Sequence, residues 1–130
     1  MATRWKRADT SGYHVVLKVF AGYPTCPDQP DSWHQYGPGT GLDIQAGRSA
    51  VVSPGFHLFD AATPLLGRDL ARFRADATAV ARSKAPWQLI TTYNEWGEGT
   101  SVESTTAWPS ASGHGQYMDV LREVFTANPR

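Results

Sequence analysis

The chain has 130 residues, 41% of them hydrophobic, with 12 Lys and Arg balancing 12 Asp and Glu, which is the length and composition of one ordinary globular domain. Zero net charge with scattered basic residues argues against a nucleic-acid partner, whose phosphates demand clustered Lys and Arg. A lone cysteine, Cys26, excludes an internal disulfide and a cysteine zinc cage, and no run approaches the ~20 apolar residues of a membrane helix.

Residues 1–12 read as a flexible amino-terminal tail in which Arg4, Lys6 and Arg7 form a solvated basic cluster. They lack the apolar stretch of a secretory signal, and localisation stays open. The folded body is expected over residues 13–127. Tyr13 to Phe20 is β-branched and apolar over consecutive positions, which predicts a strand buried on both faces. Residues 21–48, rich in Pro and Gly, read as one long loop. Within it, Trp33 and Tyr36 either line a ligand subsite or pack the loop onto the fold, and the sequence leaves both open. Gly37-Pro38-Gly39-Thr40-Gly41 lacks the Lys of a phosphate loop and reads as a turn.

Ser49 to Ser53 is a second strand, stopped by Pro54-Gly55. Thr63-Pro64 then supplies an N-cap and a first-turn proline, and Leu66, Leu70, Phe73, Ala77 and Val80 recur at helical spacing. Arg68, Arg72, Arg74 and Arg82 fall outside that stripe, and the helix is expected to close near Lys84. Trp87 to Thr92 predicts a third strand, residues 93–113 a loop, and Tyr117, Val120, Leu121, Val124 and Phe125 a final amphipathic helix. The strand, helix, strand, helix order after residue 48 is that of parallel βα units, whose functional groups sit on loops after strand carboxyl ends.

The chemistry-bearing loop follows such a strand. Only four Glu occur in the chain, and Glu95, Glu98 and Glu103 fall within nine residues. Glu95 and Glu98, three apart, would point to opposite faces of a continuing strand. Gly97 and Gly99 permit a tight turn that brings both into one cleft. Two carboxylates, one protonated to assist a leaving oxygen and one ionised, are what glycosidic cleavage needs. Tyr93, Trp96 and Trp108 offer flat faces to a sugar, and Asn94 can bond a hydroxyl or orient a carboxylate. The bland alternative is that these Glu are solvated loop residues and the aromatics belong to the core. His14, His34, His57 and His114 are too dispersed for a metal site, and no cofactor is implied.

Thr92-Tyr-Asn-Glu-Trp-Gly-Glu-Gly-Thr-Ser-Val-Glu103 resembles the Asn-Glu-Trp-x-Glu-Gly-Thr-x-x-Glu signature of glycoside hydrolase family 99, the endo-α-mannosidases and endo-α-mannanases. Val52-Ser-Pro-Gly-Phe56 is similar to a Pro-Gly-aromatic segment of the same proteins. The resemblance implies a retaining hydrolase on a (β/α)8 barrel that cuts α-mannosidic bonds in a mannan or N-glycan-like oligosaccharide. It also implies that Glu95 acts on the sugar 2-hydroxyl, Glu98 serves as general acid/base, and Glu103 supports or binds. The signature departs from the family at Gly97, where the mannosidases often carry His. A closed barrel needs at least ~200 residues, so the chain is expected to be the carboxyl-terminal βα units of a barrel, inactive as a fragment, with association possible through an exposed sheet edge. The alternatives are a non-catalytic carbohydrate-binding or remnant protein, or a relative of polysaccharide-biosynthesis proteins with a related motif.

Overall fold

The computed structural model describes residues 4–19 and 22–129. Arg4–Arg7 form a short 3-10 turn, and Lys6 makes an ion pair with Asp28 at 2.5 Å. Five short strands follow: β1 (Val16–Lys18), β2 (Ser32–His34), β3 (Leu42–Gln45), β4 (Ser49–Val52) and β5 (Trp87–Ile90). Two helices complete the described residues, α1 (Leu70–Arg82) and α2 (Gln116–Ala127).

β1 and β2 pair in parallel, Leu17 opposite Trp33. β3, β4 and β5 form a second sheet in which β4 is central, antiparallel to β3 and parallel to β5. β4 is the most enclosed element: Ser49, Ala50, Val51 and Val52 are all buried. Ala50 and Val52 point to the helical side, where they meet Phe73, Ala77 and Val80 of α1 and Tyr117, Val120, Leu121 and Val124 of α2 in one apolar core. Small Ala side chains along α1 let it lie close to the sheet and to α2. Phe73 and Tyr117 pack edge to face with ring centroids 5.2 Å apart.

The barrel expectation is overturned. No barrel closes among the described residues, and the chain forms a small α/β fold of two helices and two small sheets. The antiparallel β3–β4 pair has no place in a repeat of parallel βα units, and the assembly is too small and irregular to be a portion of a TIM barrel. The strand, helix, strand, helix order does occur after residue 48, but β3, unrecognised in the Pro and Gly-rich stretch, occupies one side of β4.

The expected long loop over 21–48 also holds β2 and a 3-10 turn at Pro38–Thr40, so the Gly37 to Gly41 segment is a turn. The first strand is shorter than its apolar run, which reaches Phe20, a residue outside those described. α1 starts six residues later than Thr63-Pro64 predicts. Its N-cap is Asp69, whose carboxylate accepts the Arg72 backbone N–H at 2.7 Å. Leu66 is excluded from the helix because it pairs with Phe56 through two backbone hydrogen bonds of 2.9 and 3.1 Å. No helix among the described residues is long and apolar enough to cross a membrane.

Candidate functional site

β4 and β5 run parallel, so their carboxyl ends lie side by side; the Thr91 N–H donates to Val52 O at 2.9 Å. Residues 53–57 leave the end of β4 and residues 91–103 leave the end of β5, and the two segments meet where the His57 N–H donates to Glu98 O at 2.8 Å. The Thr91–Thr92 peptide bond is cis.

The 92–103 loop is closed by its own backbone. Thr92 N–H donates to Thr100 O at 3.0 Å, Thr100 N–H to Glu95 O at 3.2 Å, and Glu103 N–H to Tyr93 O at 2.8 Å. Side chains reinforce it: the Thr92 and Thr100 hydroxyls lie 2.8 Å apart, the Glu95 N–H donates to Thr92 Oγ1 at 3.0 Å, and Ser101 Oγ donates to Tyr93 O at 3.0 Å. Thr100, Ser101 and Val102 are buried, which anchors the base of the loop. Gly99 has φ +63°, and a Cβ there would meet His57 Cβ at 3.3 Å. Glycine is therefore required where the loop crosses residue 57.

The charges of Glu95 and Glu98 are both felt by a third group, Tyr36. The phenol of Tyr36 is held above its ordinary value of 10.0, by partial burial first and then by the negative charges of Glu98 and Glu95 and a hydrogen bond with Glu98. Tyr36, on another segment, is tied electrostatically to the pair. The carboxylates differ in surroundings. Glu95 is exposed, whereas Glu98 is half-buried and its Oε2 is enclosed without a hydrogen-bond partner. An enclosed carboxylate oxygen is costly to leave unpaired, and a donor from a bound molecule would satisfy it.

An aromatic face adjoins the pair. Trp96 stacks on Trp108 with ring centroids 5.2 Å apart and planes 13° from parallel. Trp96 remains 48% exposed and Tyr93 58%, so both present ring surface to solvent. Glu103 orients this face: its Oε2 accepts the Trp96 indole N–H at 2.9 Å, and its carbonyl accepts the Trp108 indole N–H at 3.0 Å. Asn94 is exposed at the loop tip, and its carbonyl accepts the Trp96 N–H at 3.0 Å.

Tyr93, Asn94, Glu95, Trp96, Glu98 and Glu103 thus share the 92–103 loop, with Trp96 and Glu103 in contact, and Tyr36 is linked to the loop through the charges of Glu95 and Glu98. It separates Trp33, which is only 5% exposed, donates its indole N–H to Gln29 Oε1 at 2.9 Å and packs edge-on against Tyr23. Trp33 serves the packing of the long loop, and Tyr36 faces the site.

Two residues that pattern reading placed elsewhere support the loop. His57 carries the backbone bond to Glu98. Arg68 donates to Gly99 O at 2.9 Å and to Ser101 O at 2.7 Å, while its guanidinium lies 3.9 Å from the Trp108 ring centroid and 4.2 Å from that of Tyr117. Arg68 looks, in sequence, like the polar side of a helix. The helix starts after it, so periodicity could not reveal its inward course.

Among the described residues no three His, Cys, Asp or Glu side chains gather where they could hold a metal ion. Comparisons with protein-family models, with curated proteins and with solved structures found no match to this chain.

Proposed function

We propose that the 92–103 loop and Tyr36 form a carbohydrate-processing site in which Glu98 is the general acid/base and Glu95 the second carboxylate for cleavage of a glycosidic bond. The observation that carries this reading is the asymmetry of the pair: Glu95 is exposed, whereas Glu98 is half-buried with an enclosed, unpartnered oxygen. Environments that differ in this way allow two like groups to take opposite roles. The exposed rings of Tyr93 and Trp96 supply the flat surfaces on which sugar C–H faces stack, and Glu103 keeps Trp96 oriented.

The resemblance of the loop to the family 99 signature supports an α-mannoside as substrate. In the corresponding sequence of steps, Glu95 takes the proton of the sugar 2-hydroxyl as its oxygen attacks C1, and Glu98 gives its proton to the departing oxygen as the C1–O bond breaks. Water then opens the 1,2-anhydro sugar: Glu98 takes the water proton, and Glu95 returns its proton to O2.

The second reading is sugar binding without turnover, favoured by the exposure of Glu95, Trp96 and Tyr93 together, which leaves the face wet. Incubation of the protein with α-mannan oligosaccharides separates the two. Hydrolysis that Glu98→Gln lowers by about 10²-fold or more supports catalysis. Binding without product supports the second reading, and neither binding nor product overturns both.

A further inference from the structure

The Glu98 carboxylate sits on a loop whose path is set from beneath by a side chain on a different segment. Residues 55–57 and 66–68 lie against each other through the Phe56–Leu66 pair, and this arrangement delivers Arg68 to the underside of the loop. Gly55 makes room for it: a Cβ at that position would come within 2.7 Å of Arg68 Cγ. Beyond Cγ, the guanidinium lies in the corner formed by the rings of Trp108 and Tyr117, which pack edge to face with centroids 5.5 Å apart. From there two of its nitrogens reach the Gly99 and Ser101 carbonyls, one residue and three residues beyond Glu98.

We propose that Arg68 is the positioning residue of the Glu98 carboxylate, fixing the Gly99 and Ser101 carbonyls just beyond it and linking that placement to the Trp108–Trp96 stack. The inference rests on Glu98 being the working group of the proposed site, but the placement itself is testable without any sugar. One cation makes both contacts: the guanidinium grips the acid-bearing loop with its edge and offers its face to Trp108, the ring on which Trp96 stacks. Guanidinium is suited to this and ammonium is not, because a planar fork can donate two directed bonds while its face lies on an aromatic ring. Losing Arg68 would therefore shift the carboxylate and the sugar-stacking surface together.

The reporter is Tyr36, whose phenol the Glu98 charge is expected to hold above its ordinary value. The protein is labelled at the tyrosine ring carbon bearing the hydroxyl, and Tyr36 is followed by NMR from neutral to alkaline pH in wild type, Arg68→Met, Arg68→Lys, Glu98→Gln and the Arg68→Met/Glu98→Gln pair. Glu98→Gln defines the part of the Tyr36 upshift that comes from Glu98. Arg68→Met is expected to lose most of that same part, Arg68→Lys to lose an intermediate share, and the double variant to titrate no lower than Glu98→Gln alone. Arg72→Met is the structural control, since Arg72 braces Ser53 O, Pro54 O and Gly67 O and pairs with Asp76 without touching the 92–103 loop. It should lower thermal stability and leave Tyr36 where it is. A folded Arg68→Met or Arg68→Lys protein with wild-type Tyr36 titration would overturn the proposal, as would an equal shift in Arg72→Met. Failure of the wild type to bind or cleave α-mannan would count against the functional reading and leave this result standing.

Discussion

At the residue scale the site depends on what surrounds each carboxylate. Glu98→Gln replaces the enclosed oxygen or its neighbour with an amide and removes the charge felt by Tyr36. We expect the Tyr36 phenol to titrate closer to its ordinary value of 10.0, read from the tyrosine ring carbon by NMR; an unchanged titration would show that the two side chains do not meet. The same group predicts a pH dependence of stability. Its folded value lies above the unfolded one, so the folded state holds the proton more tightly. The associated stability is fully present below about pH 10 and is lost as pH rises through the folded value. Denaturation curves at increasing alkaline pH should therefore fall less steeply for Tyr36→Phe than for wild type. The Glu pair itself was legible in the sequence, because three of four Glu crowd into a Gly and Trp-rich stretch. Tyr36 was half legible: its segment was singled out, but its partner could not be chosen between ligand and core. Arg68 was not legible, since its meaning depends on two backbone carbonyls more than thirty residues away.

At the element scale, the two helices hold the sheet that aims the loop. Phe73 is fully buried against Tyr117 and the β4 side chains. Phe73→Ala should cost about 3 to 5 kcal/mol, measured by chemical denaturation; a loss below about 1 kcal/mol, the scale of a surface change, would contradict its place in the core. Asp69→Ala removes the cap of α1 and should cost about 1 kcal/mol, a loss that Thr63→Ala should not reproduce. These elements show where sequence periodicity succeeds. α2 lies where its apolar stripe predicts, and so does the body of α1, because burial against β4 selects those positions. The start of α1 is misread because Thr63-Pro64 offers a good cap that the chain does not use. Residues 56–68 are committed instead to the Phe56–Leu66 pair and to Arg68. β2 and β3 escape because strands of three and four residues among Pro and Gly carry too few positions for alternation to register.

At the scale of the whole molecule, the antiparallel β3 turns an apparent βα series into a small mixed fold, and the site is built locally on the ends of β4 and β5. Among the strands of the described residues β5 pairs with β4 alone, and it carries Ile90, which is 37% exposed. Beside it, Val16, His34, Tyr36, Trp87, Leu89 and Thr91 line an open cavity of about 290 Å³. An uncovered edge of this kind favours association between copies. Sedimentation velocity is expected to show concentration-dependent self-association that Ile90→Lys weakens, and a monomer at every concentration would argue against it. Titration of α-mannotriose into labelled protein probes the carbohydrate face. Saturable shifts of the Trp96 indole N–H together with Tyr93 and Tyr36 are expected, while the buried Trp33 indole N–H stays still. Absence of any shift up to the solubility of the sugar, or shifts that leave Trp96 and Tyr36 untouched, would contradict sugar binding at this face.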